Sequence, residues 1–158
     1  VIRRPGRSPG LAAATVLLAL ATAPANPAAA QADAPPPLPF LLPDSIAWRE
    51  SGPGMAFATV AGDPAAEGAS YGLLAKLQDG AWIPPHWHPR DKHIQVLSGV
   101  LLIGLGAAQD TAAARALPAG GVTTVPAEMV HYEGARGETI VLFFGDGPLR
   151  TRFVDAGG

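Results

Sequence analysis

The chain has no cysteine among its 158 residues, so a disulfide scaffold, thiolate zinc ligands and a cysteine nucleophile are all excluded. That absence says little about compartment, because exported proteins can do without bridges. Charge is scarce as well: 15% of residues are Asp, Glu, Lys or Arg, and the formal net charge is -2. A surface that binds phosphates by releasing counterions needs a basic excess, which argues against nucleic acid as a partner. Long apolar spans are lacking too. The composition is 48% hydrophobic, but much of this is alanine, and 19 Gly with 17 Pro interrupt it. No Ser-His-Asp order, phosphate-cradling glycine loop or pair of catalytic carboxylates stands out. At this length one domain is expected.

The N-terminal residues 1–30 have the layout of a cleaved signal peptide. Arg3, Arg4 and Arg7 form a basic start, Leu11 to Ala23 is apolar and short for a bilayer span, and small residues follow, with cleavage expected after Ala23 or Ala30. Removing residues 1–30 leaves eight Lys and Arg against all 13 Asp and Glu, a net charge of 8 - 13 = -5. The mature chain is therefore expected to be acidic, periplasmic or secreted, and without stable membrane insertion. Residues 31–43 are proline-rich and read as an extended arm or linker. Its apolar Phe40, Leu41 and Leu42, together with the open edges of a β-domain, point to a homodimer.

Residues 44–158 read as a single all-β domain. No window sustains a 3.6-residue apolar period, whereas short alternating stretches end at Gly, Pro or Asp. Tyr71 to Leu77 precedes the turn dipeptide Asp79-Gly80; Ile94 and Val96 lead into an expected turn at Ser98-Gly99, and Val100 to Leu105 leaves it. Val122 to Val125, Thr139 to Phe144 and Leu149 to Val154 complete the strands, with one helical turn expected over Thr111 to Ala116. Strands at this spacing form a sandwich or small barrel.

All four histidines fall between His86 and His131. His86 and His88 are two residues apart, so on an extended segment both imidazoles point to one side and Trp87 to the other. His131 opens a later strand that can face them. Three imidazoles suit a divalent transition metal, iron, manganese, nickel or zinc, better than magnesium or calcium, which prefer oxygen.

Gly80, AWIPP, His86-Trp87-His88, PRDKHIQVLS and Gly99 reproduce the frame of one sequence motif, and Gly120, GVTTV, Pro126-Ala127-Glu128, MV and His131 that of a second. In both, the chain resembles the cupin superfamily, above all small exported single-domain cupins. The resemblance implies a jelly-roll barrel with a metal held by His86, His88 and His131. It also exposes a departure. Where the family commonly has an acidic ligand, with three residues between it and His88, this chain has Lys92, whose ammonium cannot donate to a metal. Parity puts Lys92, Ile94 and Val96 on one inward face. Lys92 is then expected to snorkel to the barrel mouth, where with Arg90 it can attract an anionic substrate. Two substitutes for the missing ligand are open: His93, if a one-residue bulge turns it inward, and Glu133, which shares a strand face with His131. Trp82, Trp87, Tyr132, Phe143 and Phe144 are placed to line the cavity or pack behind it.

The function implied is metal-dependent chemistry of dioxygenase or isomerase type on a small organic molecule. The alternative is a non-catalytic ligand- or metal-binding barrel, such as a sensor or a sugar-binding module.

Overall fold

The structure, a computed structural model, describes residues 37–154. The expected signal peptide lies outside the described residues, as does the start of the arm. The compact unit begins at Phe40. Phe40, Leu41 and Leu42 are exposed and lead into a 3-10 turn at Pro43–Ser45.

Among the described residues nine strands follow: β1 (Arg49–Glu50), β2 (Met55–Gly62), β3 (Ser70–Leu77), β4 (Trp82–Trp87), β5 (Lys92–Leu105), β6 (Arg115–Pro118), β7 (Val122–Val125), β8 (His131–Asp146) and β9 (Arg152–Phe153). They join in one antiparallel sheet in the order β1-β2-β3-β8-β4-β9, with β5 bonded to β6, β7 and β8. Two long strands organise it. β8 pairs with β3 along its second half and with β4 near its start, while β5 runs against β8 from His93 to Leu105. Each half of β5 also takes a short outer partner, β7 beside Lys92 to Gln95 and β6 beside Val100 to Ile103. Strands this long, paired on both sides, twist and curl the sheet around its apolar face. Ala75, Leu77, Ile94, Val96, Leu101 and Val141 fill the interior and are almost completely buried. The architecture is all-β, as the alternating stretches imply.

Three local expectations are corrected. Ser98-Gly99 does not reverse the chain. β5 continues through it with register shifts on both sides of Ser98, and Gly99 takes a left-handed φ of 76°. A Cβ there would lie 2.4 Å from the Glu138 carbonyl oxygen, so glycine is required. The buried Thr139 hydroxyl accepts a hydrogen bond from the Val100 N–H at 3.1 Å, supplying a partner where the ladder slips. A Ser-Gly pair serves a bulge as well as a turn. The bulge wins because Val96 and Val100, on either side, both pair with the same strand β8. Thr111 to Ala116 is not helical: the Asp110 side chain accepts the N–H groups of Ala112 and Ala113, and β6 begins at Arg115. Leu149 to Val154 contributes only the two residues of β9.

Candidate metal centre

β4 carries Pro84 and Pro85, which have no N–H to give to a ladder, and its pairing with β8 slips between Ile83 and His86. Pairing resumes with His86 directly opposite His131. His88, two residues on, falls on the same side as His86, as the extended geometry requires. The outcome is a buried cluster. One ring nitrogen from each of His86, His88 and His131 lies within 4.8 Å of the other two, and the ring centroids are 4.9, 4.2 and 5.4 Å apart.

The backbone selects the tautomer of all three rings. His86 Nδ1 lies 2.7 Å from the Pro84 carbonyl oxygen, His88 Nδ1 3.0 Å from that of Arg150, and His131 Nδ1 2.9 Å from that of Met129. A carbonyl can only accept, so each Nδ1 carries its hydrogen and each Nε2 keeps a lone pair. Burial, followed by the nearby Lys92 ammonium, pushes the His88 imidazole down to about 3 and that of His131 down to about 4. The His86 pKa is also lowered, burial outweighing the attraction of the Glu133 carboxylate. Three neutral imidazoles with outer N–H groups held by carbonyls are the ligating form of histidine. His88 Nε2 is buried and, among the described residues, has no hydrogen-bond partner, a donor atom that a cation would satisfy.

Lys92 does not snorkel. It is 2% exposed, and its Nζ donates at 3.0 Å to Glu133 Oε1 and lies 3.1 Å from His131 Nε2. The ring of Phe143 sits below it, 4.6 Å from Nζ to the centroid. Burial lowers the Lys92 pKa and Glu133 opposes that shift; for Glu133, burial, which would raise its pKa, is outweighed chiefly by the Lys92 ammonium, and its pKa falls. The other carboxylate oxygen, Oε2, is buried without a partner among the described residues. Glu133 Oε1 is 3.8 Å from His131 Nε2, yet Glu133 is not part of the mutually close histidine set.

His93 is not brought to the cluster. No register shift interrupts β5 between Lys92 and Val96, so parity turns His93 to the outer face. There its Nδ1 lies 2.8 Å from the Thr124 hydroxyl and its ring 5.2 Å from that of Phe144. An open hollow of about 610 Å³ lies beside it, edged by Tyr71, Asp91 and Phe144. Arg90 is on the surface too, paired with Glu67 rather than aimed at the histidines.

A second cavity, of about 400 Å³, reaches His86 and His88 of the cluster. His86, His88, Lys92 and Glu133 are among its polar lining, and Phe57, Ile83, Phe143, Leu149 and Phe153 are among its apolar walls. Of the aromatic residues expected there, only Phe143 contributes. Trp82 packs at 6.1 Å on Tyr132, whose hydroxyl donates at 2.6 Å to the Asp110 carbonyl oxygen. Phe57 and Phe153 carried no sequence signal, since their place on the cavity wall depends on pairings distant in the chain.

A family model described as Cupin matches residues 68–147, about half of the chain and all three clustered histidines. The chain belongs to the cupin family. No curated protein matches this cupin. Among solved structures it is similar to KdgF from Halomonas sp., with 23% identity, a TM-score of 0.57, and coverage of 72% of this chain and 96% of that one. An RmlC-like cupin from Shewanella frigidimarina has 16% identity and a TM-score of 0.57, covering 70% of this chain and 91% of that one. A structure of salicylate 1,2-dioxygenase from Pseudoaminobacter salicylatoxidans, adducts with gentisate, has 16% identity and a TM-score of 0.53; the match covers 65% of this cupin and 30% of the dioxygenase chain. At these identities the likeness is one of fold.

Proposed function

We propose that this cupin binds one divalent transition-metal ion through His86, His88 and His131 and acts with it on a small organic molecule, in a reaction of oxygenase or isomerase type. The observation that carries the reading is the tautomer arrangement: three buried imidazoles, each with Nδ1 on a backbone carbonyl, leave three Nε2 lone pairs for one ion. Iron, manganese, nickel and zinc all accept such a donor set. When bound, the ion would supply a Lewis acid with coordination positions left open for a small molecule. The protein's own part is to shape the space beside it. Phe57, Phe143 and Phe153 offer apolar surface to a ligand body and exclude water, while Lys92 and Glu133 add a donor and an acceptor at the polar end. That one structural neighbour is a dioxygenase with gentisate adducts fits the class proposed.

The test is elemental analysis of protein purified without chelator and then reconstituted, beside His86→Ala/His131→Ala. About one ion per chain in the wild type and none in the double variant is the expected result. Equal metal in both, or none in the wild type, rejects the reading.

A second reading, a non-catalytic metal- or ligand-binding cupin such as a sensor or sugar-binding module, is favoured by one observation. The Lys92 ammonium rests on His131 Nε2, a contact that weakens a metal site. Turnover of any small molecule by the metal-loaded protein would dismiss it. We further propose a jelly-roll barrel exported to the periplasm or beyond after removal of residues 1–30. It would pair as a homodimer through the exposed Phe40 to Leu42. A monomeric mass at micromolar concentration with the arm intact overturns the dimer.

A further inference from the structure

His131 Nε2 has one lone pair, because its Nδ1 is committed as a donor to the Met129 carbonyl. In the structure that lone pair faces Lys92 Nζ at 3.1 Å. A lone pair can accept a hydrogen from an ammonium or bind a cation, but not both. Lys92 is held in place by more than this contact. Its ammonium also bonds Glu133 Oε1 at 3.0 Å and lies over the Phe143 ring, and both partners of the ion pair are fully buried. The cluster thus has a resident cation at the position from which one of its three donors must be taken. A destination for that cation is present as well. Glu133 Oε2, on the same carboxylate, is buried and without a partner among the described residues.

We infer that Lys92 is an intramolecular latch on the histidine cluster: its ammonium occupies the His131 lone pair when no ion is bound, and loading moves it from His131 onto Glu133 alone. The inference rests on the three-histidine reading above and adds to it a competitor within the chain. Two consequences follow. The metal-free cluster is kept closed and pre-organised by a hydrogen bond where otherwise a buried lone pair would stand unsatisfied. The charge of Lys92 stays paired throughout, since Glu133 holds it in both states, so the exchange does not strand a buried ion. The role assigned to Lys92 is that of a positioning residue acting through His131.

The experiment is a Zn²⁺ titration against a competing chelator on the full chain as purified, for wild type, Lys92→Met and Lys92→Met/Glu133→Gln. The double variant removes both charges together, so the comparison survives if the single variant, with Glu133 left unpaired, folds poorly. Zn²⁺ binding about ten- to a hundredfold tighter in the variants than in wild type is expected. A second readout separates a latch from simple repulsion: the hydrogen-bond scalar coupling between Lys92 Nζ and His131 Nε2, measured by ¹⁵N NMR on wild type. It should be present in metal-free protein and lost on saturation with Zn²⁺, while the ammonium resonance of Lys92 persists. Equal or weaker Zn²⁺ binding in the variants, or a coupling that is absent without Zn²⁺ or survives saturation, overturns the latch and leaves the metal site standing. Failure of all three proteins to take up Zn²⁺ overturns both.

Discussion

The inner and outer faces of the curled sheet each carry histidine, and the chain treats them differently. On the inner face, three Nδ1 atoms meet backbone carbonyls, which only accept, so the hydrogen sits on Nδ1 and the lone pairs turn toward one another. On the outer face, the His93 Nδ1 meets the Thr124 hydroxyl, which donates or accepts, so its tautomer is not dictated by its partner. The inner charges are likewise enclosed, Lys92 against Glu133, whereas the outer pair Arg90–Glu67 is open to water. Adjacent residues, Lys92 and His93, stand on opposite sides of this divide. The difference is the strand period of two, which makes neighbours in sequence strangers in environment.

The largest effect expected from breaking this contrast is on metal uptake. His86→Ala/His131→Ala should take the protein from about one ion per chain to none, because one remaining imidazole cannot hold a transition metal against solvent. Dialysis with elemental analysis measures it. The enclosed pair comes next. Glu133→Ala strands a buried ammonium and should cost about 3–5 kcal/mol in urea unfolding, against at most about 1 kcal/mol for Glu67→Ala, whose loss water makes good.

Acid should attack the inner face selectively. Burial, followed by the Lys92 ammonium, depresses the folded-state pKa values of His88 and His131 to about 3 and about 4, from 6.5 for an ordinary imidazole. The folded cluster therefore resists protons that the unfolded chain binds. The contribution to stability is full above about pH 6.5 and is lost as pH falls through the folded values. Unfolding midpoints of metal-free protein should decline across that window, and a midpoint that holds from pH 7 to 4 would contradict the burial of neutral imidazoles.

Gly134→Ala probes packing on the reverse side of β8, where a Cβ would meet the Trp82 ring at 2.4 Å. Displacing the indole should cost about 1–3 kcal/mol while leaving metal stoichiometry intact. The smallest effect belongs to His93→Ala, which should change stability by no more than about 0.5 kcal/mol and leave Zn²⁺ affinity within about twofold. A tenfold loss would place His93 among the ligands and erase the contrast between the two faces.

Much of the inner face can be read from the sequence. The two-residue spacing of His86 and His88 puts both rings on one side, and the alternation of Lys92, Ile94 and Val96 turns a lysine inward however unwelcome a charge is there. That parity points His93 outward, and only a bulge could have reversed it. β5 has one, but at Ser98 and Gly99, beyond the point where it would matter. The same dipeptide misleads when taken as a hairpin, because a left-handed glycine serves bends and reversals alike and the choice depends on which strand both flanks join. Phe57 and Phe153 were invisible for a similar reason: each borders the cavity only because the curled sheet brings β2 and β9 to its rim.

The order of residues along single strands determined the all-β class, the sides of His86, His88, Lys92 and His93, and the kind of ion that could be held, since these follow from local periodicity and side-chain chemistry. Tertiary structure alone decided that His131 stands opposite His86, that Arg150 lends its carbonyl to His88, and that Lys92 is neutralised by Glu133 instead of reaching water. The last two contacts join residues 62 and 41 positions apart. No local propensity encodes them; they come from the register of β8 against β4 and β5 and of β9 against β4, which the burial of one shared apolar face sets for every residue at once.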